Sequence, residues 1–192
     1  DMYRKELAYQ FGKKKNFYVF DVQLNNYEPL VERNQNRYGE KDLSQLYRTL
    51  EERFHSVPGV SIYRKSVTGI GIIHSQADEA QAVQTAQTVC EVLREAFGGD
   101  LIFHVAGVAC PRYATGEADI MRLAYSLKEQ CPQNRYILCN ENDYEQFCER
   151  KDILILLNET QLEKQDVVLF GRPSVDSSGL MNGRMEILCR LQ

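Results

Sequence analysis

Few residues of this 192-residue chain have the types and spacing that chemistry needs. No Ser or Cys lies in a nucleophile motif, the histidines lack metal-ligand spacing, and the cysteines form no C-x-x-C pair. This cysteine pattern favours reduced thiols over disulfides or zinc. What remains is isolated charged side chains with simple structural interpretations: a strand-end turn hydrogen bond for Asp21, a helix first-turn acid for Glu40, and a solvated surface position for Lys128.

The stretch Ser61–His74 has the most informative sequence pattern in the chain. Apolar residues stand before and after a centre of small and β-branched residues, which is the pattern of two short strands joined by a tight turn. We therefore predict a β-hairpin here.

This hairpin resembles that of the GGDEF family, the bacterial diguanylate cyclase domains, whose signature is Arg, any residue, then Gly-Gly-Asp/Glu-Glu-Phe. The acidic third and fourth positions are replaced here, so the resemblance implies a degenerate signature with no catalytic residue. Phosphoryl transfer depends on positioning and on neutralising developing charge, and Mg²⁺ needs hard oxygen ligands. After Arg64 and Lys65, the signature positions are Ser66, Val67, Thr68, Gly69 and Ile70.

The resemblance also assigns roles outside the hairpin. It implies that Asp21 is a weak Mg²⁺ ligand, that Glu40 could bind the guanine, and that Lys128 could contact phosphate. Two further positions depart from the family, because Gln23 replaces an acid and Asn26 replaces a phosphate-contacting lysine. The cofactor implied is Mg²⁺ together with GTP, and otherwise none.

Hydrophobic periodicity predicts strand, helix, hairpin, helix, strand, helix and strand in that order. The clearest helix, Asp78–Phe97, ends at Gly98-Gly99, which we interpret as a left-handed helix cap and not as part of a signature. The order predicts an α+β fold with a mixed, mainly antiparallel sheet flanked by helices. It is similar to the nucleotide-cyclase, palm-like (ferredoxin-like) fold of the GGDEF family.

The C-terminal residues resemble a second family. Val167–Asp176 and Gly183–Leu191, with a turn at Asp176–Gly179, are similar to the opening hairpin of an EAL domain, the cyclic di-GMP phosphodiesterase barrel. In that family Glu186 would bind metal, but only in a complete barrel. The predicted domains are 1–142 (degenerate GGDEF), 143–165 (helical linker) and 166–192 (truncated EAL hairpin).

Composition restricts the partners. A formal net charge of −4 provides no basic field for binding nucleic acid. No apolar run reaches the roughly 18 residues of a membrane span, and no signal peptide is recognised. We expect a cytoplasmic location, with tethering to the inner membrane through a missing N-terminal part as an alternative.

Three functions follow from these resemblances. The favoured one is a non-catalytic regulatory domain of a cyclic di-GMP signalling protein, whose partners would be guanine nucleotide, the EAL barrel, an upstream sensor and a second copy of the chain. The alternatives are a purely structural interaction or dimerisation domain, and a weak cyclase using Asp21 and Glu40.

Overall fold

The computed structural model describes residues 2–33, 38–159, 167–175 and 181–191, and it describes side chains as far as residue 152. The chain divides into two compact units, Asp1–Phe147 and Cys148–Gln192. The helices are α1 (Met2–Gly12), α2 (Tyr27–Arg33), α3 (Glu40–Phe54), α4 (Glu79–Glu95), α5 (Glu117–Gln130) and α6 (Glu141–Glu159). The strands are β1 (Phe17–Leu24), β2 (Val60–Arg64), β3 (Gly69–Ser75), β4 (Phe103–Cys110), β5 (Arg135–Leu138), β6 (Val167–Val175) and β7 (Met181–Leu191).

The first unit is built on a five-stranded sheet with the order β2-β3-β1-β4-β5. All neighbouring pairs are antiparallel except β4 and β5, which are parallel. The predicted α+β class, with a mainly antiparallel sheet flanked by helices, is confirmed. The predicted hairpin is also confirmed, because β2 and β3 pair from Val60 opposite His74 to Arg64 opposite Ile70.

Both faces of the central strand β1 are covered, and its apolar side chains therefore pack on both sides of the sheet. Phe20, Val22 and Leu24 belong to one buried cluster, which includes residues of α3 and α4. Phe17 and Val19 belong to the other, which includes residues of α1 and α5. Because side chains alternate along a strand, Asp21 lies on the same face as Val19.

Local sequence sets the ends of α4. Asp78 and Gln81 form a reciprocal capping box at its start. The C-cap at its end is Ala96, which is extended, and the next three residues, Phe97, Gly98 and Gly99, have φ values of 53°, 65° and 88°. The predicted left-handed conformation of the glycines is confirmed, but neither glycine is the cap of α4. The helix ends at Glu95, two residues before the predicted end, because Ala96 already has an extended backbone, with φ −65° and ψ 148°.

Two other segments differ from the sequence-based expectation. The region after Leu24, which the pattern left undecided, forms the short helix α2, and Pro29 is tolerated because it lies in the first turn. β1 continues through Leu24, so Asp21 lies inside the strand and not at its end. The reason is that β3 and β4 both extend far enough to pair with Gln23.

The second unit contains an antiparallel pair, β6 with β7, with Val167 opposite Leu191 and Arg172 opposite Glu186. The turn expected at Asp176–Gly179 lies outside the described residues. Among the helices that the structure describes, none combines the length and hydropathy needed to cross a membrane.

Candidate functional site

Asp21 lies at the centre of the sheet, between Gly71 of β3 and Ala106 of β4. Its side chain is 11% exposed. A carboxylate this far from water needs strong hydrogen-bond donors or a cation to offset its lost hydration.

Two lysines supply those donors. Lys65 Nζ donates to Asp21 Oδ1 at 2.8 Å, and Lys128 Nζ donates to Asp21 Oδ2, also at 2.8 Å. The lysine side chains are themselves mostly buried, with 20% and 16% of their surface exposed. The expected turn hydrogen bond of Asp21 is therefore replaced by a buried ion triad, and the expected solvated position of Lys128 is wrong. Both expectations placed these side chains nearer to solvent than the covered face of β1 allows.

The two lysines reach Asp21 from different elements. Lys65 follows the last residue of β2, at the start of the hairpin turn, and Lys128 lies in the last turn of α5. The helix brings Lys128 there by burying Ile120, Leu123, Ala124 and Leu127 against the sheet. The triad thus depends on both the hairpin and the packing of α5.

Tyr3 of α1 packs beside the triad, with 3% of its surface exposed. Its ring centroid lies 5.3 Å from Lys65 Nζ, which is a cation–π distance. A Cβ atom at Gly71 would lie 2.7 Å from Tyr3 Cε2 and 3.0 Å from Lys65 Cδ, so the absence of a side chain there makes room for both residues. Burial, and after it the nearby Asp21 carboxylate, raises the pKa of the Tyr3 hydroxyl. Sequence reasoning missed Tyr3, and its aromatic position on an amphipathic helix carried no signal beyond packing.

The hairpin turn is tied to β1 through Thr68. The Thr68 carbonyl accepts from the Leu24 amide at 2.8 Å, and Thr68 Oγ1 accepts from Gln23 Nε2 at 3.0 Å. Ser66 and Val67 are exposed, whereas Gly69 and Ile70 are buried. Thr68 therefore holds the turn in place through neutral hydrogen bonds.

The residues around Asp21 do not fit Mg²⁺. Each carboxylate oxygen already accepts a hydrogen bond from an ammonium group, so Mg²⁺ at this carboxylate would lie close to two positive charges. No group of three or more His, Cys, Asp or Glu side chains suited to a metal occurs among the described residues. Since Mg²⁺ favours carboxylate and phosphate oxygens in near-octahedral geometry, a carboxylate occupied by two ammonium groups is a poor ligand.

Two other sequence candidates lie apart from the triad. Asn26 holds the loop before β4 through two hydrogen bonds to its backbone. The Asn26 side chain donates to the Asp100 carbonyl at 2.8 Å and accepts from the Ile102 amide at 2.7 Å. Glu40 is the first residue of α3 and lines a shallow surface depression with Lys41, Gln45 and Arg48. Within residues 2–33 and 38–152, Glu40 forms no ion pair with Lys65 or Lys128.

A separate cavity of about 400 Å³ lies beside the start of β2. Val57, Pro58 and Gly59 line it together with His74 and polar residues of α4. His74 is buried, and its Nδ1 lies 2.9 Å from Thr85 Oγ1. Burial lowers the pKa of His74, whereas Asp78 and the Pro58 backbone oppose this shift.

Glu186 lies on β7 opposite Arg172. The structure does not describe the Glu186 side chain, so the expected metal-binding role of Glu186 stays a prediction.

Comparison with known proteins identifies the fold through structure. No family model matches the chain, and no curated protein matches it in sequence. The similar solved structures include the following three. The active GGEEF domain of a diguanylate cyclase from Vibrio cholerae is 14% identical with a TM-score of 0.54, over 73% of this chain and 93% of that one. The GGDEF domain of TpbB (YfiN) from Pseudomonas aeruginosa is 13% identical with a TM-score of 0.58, over 80% and 90%.

The match to the third structure includes residues of both units. It is the S helix-GGDEF-EAL portion of Vibrio cholerae LapD bound to c-di-GMP, 15% identical with a TM-score of 0.61. The match covers 100% of this chain and 46% of that one. The structural neighbours are thus GGDEF domains of c-di-GMP signalling proteins, and this chain has the cyclase-palm-like fold that they share.

Proposed function

We propose that this chain is a non-catalytic, GGDEF-like regulatory domain of a bacterial cyclic di-GMP signalling protein of the GGDEF-EAL type. The single observation that carries the proposal is the occupation of Asp21 by Lys65 and Lys128. A cyclase needs its carboxylates free to hold Mg²⁺ against the triphosphate. Here the remaining carboxylate is bound within the protein.

The hairpin turn supports the same proposal. The two positions at which an active family member has acids hold Thr68 and Gly69. Thr68 is engaged with Gln23 and Leu24, and Gly69 is buried in β3. Neither can neutralise charge on a metal or a leaving group, so the reaction lacks its electrostatic stabilisation.

The proposal of a regulatory role is supported by the segment that follows the domain in the chain. The β6–β7 hairpin carries the EAL-like sequence, and the similarity to LapD extends over the whole chain. We propose that residues 1–142 receive a signal, with bound GTP as the candidate ligand, and regulate the phosphodiesterase half. In this scheme the domain works in the cytoplasm, alone or tethered through another part of the protein, and could pair with a second copy.

Synthesis of cyclic di-GMP tests the proposal directly. The chain is incubated with GTP and Mg²⁺, with the active GGEEF domain from Vibrio cholerae as the positive control, and the products are separated by chromatography. We expect no cyclic di-GMP. Product that Asp21→Ala abolishes would overturn the proposal in favour of a weak cyclase using Asp21 and Glu40.

A further inference from the structure

We propose that Lys65 and Lys128 replace the divalent cation at Asp21, so that the domain binds a nucleoside triphosphate through fixed ammonium groups and without Mg²⁺. The inference rests on the proposed function, because it specifies how a retained nucleotide site meets its ligand.

The net charge of the triad of Asp21, Lys65 and Lys128 equals that of an aspartate with bound Mg²⁺. Two ammonium groups and one carboxylate leave a formal net charge of +1. One Mg²⁺ ion bound to one carboxylate would leave the same +1. The triad therefore offers a phosphate the same net charge as a metal-loaded aspartate, but with the positive charge covalently attached to the protein.

The burial of the triad carries the second step. Asp21, Lys65 and Lys128 keep only 11%, 20% and 16% of their side-chain surface exposed, so their mutual attraction is poorly screened by water. Displacement by Mg²⁺ would break two 2.8 Å charge-assisted hydrogen bonds and strip water from an ion that dehydrates reluctantly. Exchange of the lysines for the metal is therefore unfavourable.

Lys65 and Lys128 each have further hydrogen-bond donors with which they could bind a ligand. Each ammonium group has three donors, and the hydrogen bond to Asp21 uses one of them. The positive charge of Lys128 also affects the neighbouring His104. Burial is the larger cause of the lowered pKa of His104, and the charge of Lys128 is the second. A triphosphate, which is a strongly charged acceptor, matches donors held in this way.

The test is calorimetric titration of the whole chain with GTP, once in EDTA and once with excess MgCl₂ at matched ionic strength. Inorganic triphosphate forms a third titration that separates phosphate binding from base recognition. We expect GTP and triphosphate to bind in EDTA, and we expect Mg²⁺ to leave the Kd unchanged or to raise it, because Mg²⁺ neutralises part of the ligand's charge.

Three variants attribute the binding to the triad. Lys65→Met and Lys128→Met should each weaken binding in EDTA about tenfold or more, because a charged hydrogen bond is lost. Lys15→Met, at an exposed lysine of the α1–β1 loop, is the matched control and should leave the Kd unchanged. Asp21→Asn gives the sharpest contrast: a metal site would lose GTP, whereas the lysine site should retain it. Circular dichroism checks that each variant is folded.

The outcomes separate this inference from the proposed function. Binding that requires Mg²⁺, or that Asp21→Asn abolishes in a folded protein, overturns the inference and leaves a non-catalytic nucleotide sensor. Absence of binding in both buffers also overturns it and leaves a non-catalytic scaffold. Only synthesis of cyclic di-GMP that Asp21→Ala abolishes would overturn the proposed function.

Discussion

The Lys65 ammonium group donates a 2.8 Å hydrogen bond to Oδ1 of Asp21, a residue 44 positions earlier in the chain. This contact joins the hairpin turn to the centre of the sheet, and Lys128 completes it on the other carboxylate oxygen. A residue of the hairpin turn thus binds a carboxylate at the centre of the sheet.

The triad should contribute to stability. Asp21→Asn removes the carboxylate charge while keeping the shape, and it leaves two mostly buried ammonium groups without their counterion. We expect the free energy of unfolding to fall by about 2 to 4 kcal/mol. Urea denaturation measures this change. Glu129→Gln, at an exposed position of α5, is the control, and equal stability of the two variants would contradict the prediction.

Mg²⁺ alone should not stabilise the protein. A ligand that binds only the folded state raises its stability according to concentration and affinity, so an occupied site would raise the Tm. We expect a shift of less than about 1 °C in about 10 mM MgCl₂, measured against NaCl of the same ionic strength. A rise of several degrees that Asp21→Asn removes would mean that the metal does displace the lysines.

Gly71 should be intolerant of a side chain because Tyr3 occupies the space above it. Its added Cβ would lie 2.7 Å from Tyr3 Cε2, so Gly71→Ala must displace the ring. We expect a loss of about 1 to 3 kcal/mol in the free energy of unfolding. Gly12→Ala, where nothing lies within 4 Å of the new Cβ, is the matched control.

A double-mutant cycle identifies the cause of that loss. In a Tyr3→Ala background the penalty of Gly71→Ala should shrink, because the clashing ring is gone. If the penalty is unchanged, the glycine is needed for another reason, such as the path of Lys65 across it.

Stability should fall as the pH is lowered past the ordinary titration of histidine. Burial lowers the pKa of His74, so the unfolded chain binds more protons than the folded one below about pH 6.5. The contribution of His74 is complete above that pH and is lost as the pH falls toward the lowered pKa of the folded state. Urea denaturation at a series of pH values between about 7.5 and 5.5 measures the effect.

Substitution separates the histidines. His74→Gln should flatten the pH dependence, and the slope that remains belongs in part to His104, whose pKa is also lowered, by burial and then by Lys128. The control is His55→Gln, at an exposed position in the turn after α3. A His74→Gln protein with the full wild-type slope would rule out His74 as the group responsible.

Local pattern was sufficient for much of the fold. The apolar runs on either side of the turn in Ser61–His74 predicted the hairpin, and the Gly98-Gly99 pair predicted left-handed backbone after the helix, because both features depend on neighbouring residues. The absence of acidic side chains at Thr68 and Gly69 could likewise be read directly, since it concerns residue type alone.

The site itself was decided by tertiary structure. Asp21 and Lys128 are 107 positions apart, and neither that pair nor Asp21 with Lys65 leaves a periodicity in the sequence. Their meeting depends on the register of β1 between β3 and β4 and on the packing of α5, which are long-range interactions. The sequence by itself determined which chemical groups the chain has and which it lacks; only the folded sheet, by burying one carboxylate between two lysines, decided what that carboxylate binds.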